Sequence, residues 1–213
     1  MMASAQEDPR KAGTIWTLGP HDPLADVQLL LPPHIRRVES ADLPALETAM
    51  GQSGEARRRL EGERQAYAAW VDGELAGYGW VSFEEEYIGE LRLRLRLRPQ
   101  EAYLWDCVTL PPYRRQHLYS ALLAHAAADL RQAGIERIWI GADRDNLPSQ
   151  GGIALAGFQH VADLGIKRVL AMRLVWVEGL AGVPEHLVAE ARRAFLGERD
   201  QVWEAAGAGS LLG

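Results

Sequence analysis

The chain reads as an α+β domain built on a mixed, mostly antiparallel sheet. Two observations carry that reading. Several apolar runs are joined by short turn signals, as in antiparallel hairpins, and the passage from 103 to 140 runs strand, helix, strand, as in a parallel crossover. The predicted element order is β-α-α-β-β-β-β-α-β-α-β-β.

Residues 1–32 mix Gly, Pro and polar residues around one short apolar run, VQLLLPP, and are expected as an N-terminal tail or an arm that packs on the body. HIRRVE then reads as a strand, Ser40 caps a helix beginning ADLPALETAM, and GEARRRLEGE supplies a second helix. In YAAWVDGELAGYGWVSF, Asp72-Gly73 lies between two apolar runs and marks a hairpin. ELRLRLRLRP alternates strictly from Leu91 to Arg98, so Leu91, Leu93, Leu95 and Leu97 share one face of a strand. Arg92, Arg94, Arg96 and Arg98 share the other. Cross-strand pairing with Glu84–Glu86 and Glu90 is their expected role, with capture of an acidic partner as the alternative.

AYLWDCVTL is the next strand. LYSALLAHAAADLRQAG follows as a helix with Leu118, Leu122, Ala126 and Leu130 on one stripe and Gly134 as its stop. IERIWI is a short buried strand, DNLPSQGGIALAGF holds a brief helix closed by Gly157, and FQHVAD and KRVLAMRLVWV complete the sheet. PEHLVAEARRAF is a last helix whose Leu187, Ala191 and Phe195 pack on the chain's own body or on a second subunit, which leaves a homodimer open. One domain, 33–177, is expected between the 1–32 arm and a 178–213 helical extension.

With 213 residues, 47% of them apolar, the chain can bury a sizeable core. A formal net charge of −6 argues against a general nucleic-acid binder. The single Cys107 excludes an internal disulfide, the six histidines show no metal-ligand spacing, and no leader or membrane-spanning run is apparent, so a cytoplasmic protein without a metal is expected. P-loop and hydrolase-elbow motifs are missing.

The informative stretch is VTLPPYRRQHLYSALL, Val108 to Leu123. A strand ends at two prolines and a helix starts just beyond two arginines. Such a junction exposes unpaired backbone N–H groups at the positive end of the helix dipole, the setting that phosphate or pyrophosphate favours. These residues resemble the signature of the GCN5-related N-acetyltransferase (GNAT) superfamily, V-x-P-x-x-R-x-x-G-x-G/A, with Thr109, Pro111 and Arg114 at its V, P and R positions. Asn146, Ser149, Gly157 and Phe158 resemble the second motif, N-x-x-S/A followed by G-F, and the resemblance covers roughly 34–177.

The resemblance implies a GNAT-type sheet with helices on both faces and a splayed parallel strand pair forming the cofactor cleft. It implies acetyl transfer from acetyl-CoA to an unidentified amine by direct attack in a ternary complex. The pantetheine arm would pair with backbone at Cys107, Val108 and Thr109. The pyrophosphate would rest on Arg115, Gln116, His117, Leu118, Tyr119 and Ser120 beside Arg114, with Asn146 and Ser149 contributing from the second motif. Asp106, just before the pantetheine strand, is the candidate base. Three positions depart from the family pattern. His117 stands at the first motif glycine and is expected to keep helical φ/ψ; Tyr119 stands at the second; and Ile153 stands where many members place the tyrosine that protonates the CoA thiolate. Those departures keep open a second reading, an acyl-CoA-binding sensor or regulatory module without catalysis.

Overall fold

Residues 10–18, expected in a tail or packing arm, form β1 (Arg10–Leu18) in the middle of the main sheet. The computed structural model describes residues 10–29, 32–89, 92–169, 172–197 and 201–205. After β1 come β2 (His34–Arg37), α1 (Leu43–Met50), α2 (Glu55–Glu61), β3 (Gln65–Val71), β4 (Glu74–Ser82), β5 (Glu85–Ile88), β6 (Leu93–Arg96) and β7 (Glu101–Thr109). The remainder is α3 (Leu118–Gln132), β8 (Arg137–Asp143), α4 (Leu147–Leu155), β9 (Gln159–Val169), β10 (Met172–Gly179), α5 (Glu185–Leu196) and β11 (Gln201–Ala205).

Nine strands pair in the order β11-β10-β9-β1-β8-β7-β4-β3-β2, and β7–β8 is the parallel pair. β1 is antiparallel to both β8 and β9, so the N-terminal strand inserts between two strands that follow one another in the chain and joins the two halves of the sheet. The expected Asp72-Gly73 hairpin is present, both residues at positive φ (50° and 84°), which gives the two-residue turn the twist its strands need. Ser40 does not cap the first helix: it opens a 3-10 turn, Ser40–Asp42. Asp42 closes that turn by accepting the Glu39 N–H at 2.8 Å while pairing with Arg36 at 2.6 Å. The segments FQHVAD and KRV, expected in separate strands, merge into β9.

The Leu/Arg alternation forms a separate two-stranded ribbon, β5–β6, outside the main sheet. Leu93 and Leu95 are buried beneath it, while Arg94 and Arg96 are exposed and pair with Glu85, the expected cross-strand arrangement. Leu91 and Glu90 lie outside the described residues.

Helices cover both faces. On one, Leu118, Leu122, Ala126 and Leu130 of α3 pack with Ile153 of α4 against Leu104, Ile138 and Ile140. On the other, α1 and α2 cover β3 and β4, while α5 and the ribbon cover β7 to β10. Trp139 points to this second face, between two isoleucines that point to the first, as strand alternation requires. The Leu187, Ala191 and Phe195 stripe of α5 packs on the chain's own sheet. Among the described residues no helix is long and apolar enough to cross a membrane.

Candidate functional site

The parallel strands stay paired only from Glu101↔Arg137 to Leu104↔Ile140 and then part. The cause lies in β7. Asp106 adopts φ 44°, and the pairing of β7 with β4 slips by one residue between Tyr78 and Trp80, a bulge that bends the strand away from β8. Gly79 makes room for it: a Cβ there would stand 2.8 Å from Cys107 Sγ. Leu110 to Pro112 end the strand, and Pro111–Tyr113 form a 3-10 turn that aims the chain at α3.

Between the bent half of β7, α3 and α4 lies a cavity of about 790 Å³. Its wall brings together nearly all the sequence-predicted binding residues: Cys107, Val108, Thr109, Arg114, Arg115, His117, Leu118, Tyr119, Ser120, Asn146 and Ser149. Gln116 is beside it in the chain but not on the wall. The backbone N–H groups from Arg115 to Ser120 donate to no acceptor among the described residues, and the first bond of α3 is Ala121 N–H to His117 O at 3.0 Å. Unpaired amides at a helix start are strong anion donors. The loop that carries them alternates sign of φ, with Arg115 at 63° and His117 at 59°, and such a turn points successive amides into one concavity.

His117 corrects an expectation. It is not helical but a left-handed N-cap (φ 59°, ψ 11°), exposed, with its ring outside the helix. The motif glycine is therefore a positive-φ position, and histidine is among the non-glycine residues that tolerate one.

Other polar groups are partly engaged. Arg114 Nε donates to the Thr109 carbonyl at 3.2 Å, and Asn146 Oδ1 accepts the Ser149 N–H at 3.2 Å, capping α4. The Thr109 hydroxyl is buried without a partner among the described residues. Burial pushes the Cys107 thiol up to about 12, with the Asp106 charge adding to the rise. Burial also raises the Tyr119 phenol, whose hydroxyl lies 3.0 Å from Ser149 Oγ.

Asp106 is not on the cavity wall. Its carboxylate pairs at 2.5 Å with Arg59 of α2, on the opposite face of the sheet. Arg59 also pairs with Glu55 at 2.9 Å, and its guanidinium lies over Trp80 and Trp105, 5.0 and 4.6 Å from their centroids. This Glu55–Arg59–Asp106 chain was not visible in the sequence, because it joins residues 47 apart. Ile153 is fully buried in the core and offers no proton. Among the described residues no group of three or more His, Cys, Asp and Glu could hold a metal ion.

Comparison with known proteins agrees with this geometry. Residues 32–158 match the model of the acetyltransferase (GNAT) family. No curated protein matches the sequence. An acetyltransferase of the GNAT family from Colwellia psychrerythraea is 15% identical, with 82% of this chain and 58% of that one covered at a TM-score of 0.55. A GCN5-related N-acetyltransferase from Kribbella flavida is 15% identical, covering 72% and 56% at 0.51. A GNAT-family structure from Novosphingobium aromaticivorans is 19% identical, covering 72% and 63% at 0.49. This chain spans less than two thirds of each of these three structures.

Proposed function

The chain belongs to the GNAT acetyltransferase family, and from that premise we propose that it moves an acetyl group from acetyl-CoA to an amine by direct attack in a ternary complex. The observation that carries the proposal is the row of unpaired amides from Arg115 to Ser120, five of whose six residues line the cavity where β7 and β8 part. A pyrophosphate on those amides gains charge-assisted hydrogen bonds and the helix dipole, with Arg114 and Arg115 at the rim. The pantetheine arm then runs along Thr109, Val108 and Cys107, where the unpaired Thr109 hydroxyl is one further donor. This order carries the thioester inward toward the β7 bulge.

Direct transfer is favoured over an acyl-cysteine route by the one thiol on the wall. Held up to about 12 by burial, Cys107 remains a thiol at neutral pH and is a poor nucleophile. With the α3–α4 face taken by the donor, the amine arrives from the face of α2, where Asp106 stands at the bulge. Asp106 serves as base by exchanging Arg59 for the incoming ammonium, which makes acceptor binding and release of that ion pair a single event.

The test is turnover. Purified protein is supplied with acetyl-CoA and a panel of amines, and CoA release is measured above the hydrolytic background. Release that depends on one amine class supports transfer. Binding of acetyl-CoA with no release across the panel refutes it in favour of an acyl-CoA-binding module.

A further inference from the structure

Arg59 is held more firmly than one ion pair requires, yet one edge of it is half used. Its side chain is 15% exposed, Nε donates to Glu55 at 2.9 Å, and the guanidinium lies over the rings of Trp80 and Trp105. Those contacts fix the group in place without Asp106. At the edge away from Nε, Nη1 meets a single oxygen of Asp106 at 2.5 Å, and Nη2 donates to no acceptor among the described residues. Asp106 is half used as well: its Oδ1 accepts no bond among those residues. The Nη1–Nη2 edge of a guanidinium matches a carboxylate through two parallel bonds, and Asp106 fills only one of the two places.

The charges around Arg59 balance without a ligand. Arg58 and Arg59 share Glu55, Arg59 pairs with Asp106, and Arg64, on the same Trp105 ring, is matched by the buried Glu86. An ammonium that takes Asp106 from Arg59 upsets that balance. One more positive charge enters, and a mostly buried guanidinium keeps only a carboxylate it shares with Arg58. A buried charge left short of its partner is strongly unfavourable, and the tryptophans and Glu55 hold Arg59 back from water. An acceptor with a carboxylate of its own removes the difficulty: its ammonium meets Asp106, its carboxylate takes the edge freed on Arg59, and the net charge is unchanged. Because Asp106 and Arg59 touch, the two groups of the acceptor have to be neighbours too. An α-amino acid carries both on one carbon, whereas the amine at a protein N-terminus has lost that carboxylate to a peptide bond.

Resting on the acetyl-transfer reading above, we propose that the acceptor is a free α-amino acid, its amine at Asp106 and its carboxylate on the Nη1–Nη2 edge of Arg59. Arg59 is thereby the residue that selects the acceptor class, and the residues of the α3–α4 cavity have no part in that choice.

The experiment supplies the purified full chain with acetyl-CoA and matched acceptors, each an L-amino acid and its carboxamide, and reads kcat/KM from CoA release. The amide keeps the amine and the side chain but carries a net positive charge. It also lacks the carboxylate that stabilises the ammonium, so more of its amine is free at neutral pH, and a preference for the acid reports recognition rather than reactivity. The best acid should exceed its amide by about a hundredfold, the scale of charge-assisted bonds to a desolvated guanidinium. Arg59→Lys keeps a cation by the tryptophans but not the two-nitrogen edge, and should cut that ratio at least tenfold, mainly through the acid's KM. The parent ratio needs no variant, so it decides the acceptor class even where the replacement does not fold. Equal turnover of acid and amide, turnover confined to amines without a carboxylate, or an unchanged ratio in folded Arg59→Lys overturns the assignment and leaves acetyl transfer standing. Release with no amine of any class overturns acetyl transfer itself.

Discussion

His117→Gly tests the local reading of the anion loop, because two accounts of the residue predict opposite signs. With φ 59° and ψ 11°, the histidine pays the left-handed cost of an L-residue, about 1–2 kcal/mol at an ordinary side chain. Glycine removes that cost but adds unfolded-state freedom worth about 0.4–1 kcal/mol. The exposed imidazole makes no hydrogen bond or ion pair among the described residues, so little else is lost. The net expectation is a stabilisation of roughly 0.5–1 kcal/mol, or about 1–4 °C in Tm for a chain of this size. His117→Ala, without histidine's tolerance of this region, goes the other way. The assay is thermal unfolding of the ligand-free protein by calorimetry. A helical His117 would reverse the order, with alanine the most stable and glycine the least. That reversed order would refute the strained-loop geometry and the amide row built on it.

Gly152→Ala should lower stability by about 1–3 kcal/mol in denaturant titrations, since its Cβ meets the Tyr119 ring; on a Tyr119→Ala background the same change should become neutral or stabilising. Stability should hold below about pH 9 and fall as pH rises toward 12, because Cys107 and Tyr78 are each held up to about 12 when folded and ionise earlier when unfolded. Cys107→Ala should flatten that alkaline limb in urea midpoints measured across the range. Asp106→Asn keeps a residue at ease with φ 44° but gives up the Arg59 pair; it should cost about 1 kcal/mol in urea unfolding and reduce kcat/KM for the amine while acetyl-CoA affinity stays unchanged.

What could be read ahead of the structure was local in character. The Asp72-Gly73 turn, the α3 stripe and the strand-to-helix junction each announce themselves within a few residues, and each stands where expected. β1 escaped because its evidence is remote: Ile15 pairs with Gly141 on one side and Ala162 on the other, and nothing near it forms a hairpin. The Leu/Arg strand was legible as alternation, but alternation cannot tell a sheet member from a ribbon beside the sheet. At the site, the cavity wall could be listed from motif positions, whereas the conformation of His117 could not, because residue type alone does not set the sign of φ. The Tyr119–Gly152 contact did leave a trace in the Gly151–Gly152 pair inside α4, where two glycines weaken a helix unless a neighbour needs the space.

In the proposed function the amides of Arg115 to Ser120 hold a pyrophosphate. Calorimetric titration of the unaltered chain with acetyl-CoA and with S-acetylpantetheine, which carries the same thioester but no pyrophosphate, tests it most directly. Micromolar acetyl-CoA binding that weakens at least a hundredfold for S-acetylpantetheine is the predicted result. Equal affinity for the two, or no binding of acetyl-CoA by the folded protein, would contradict it.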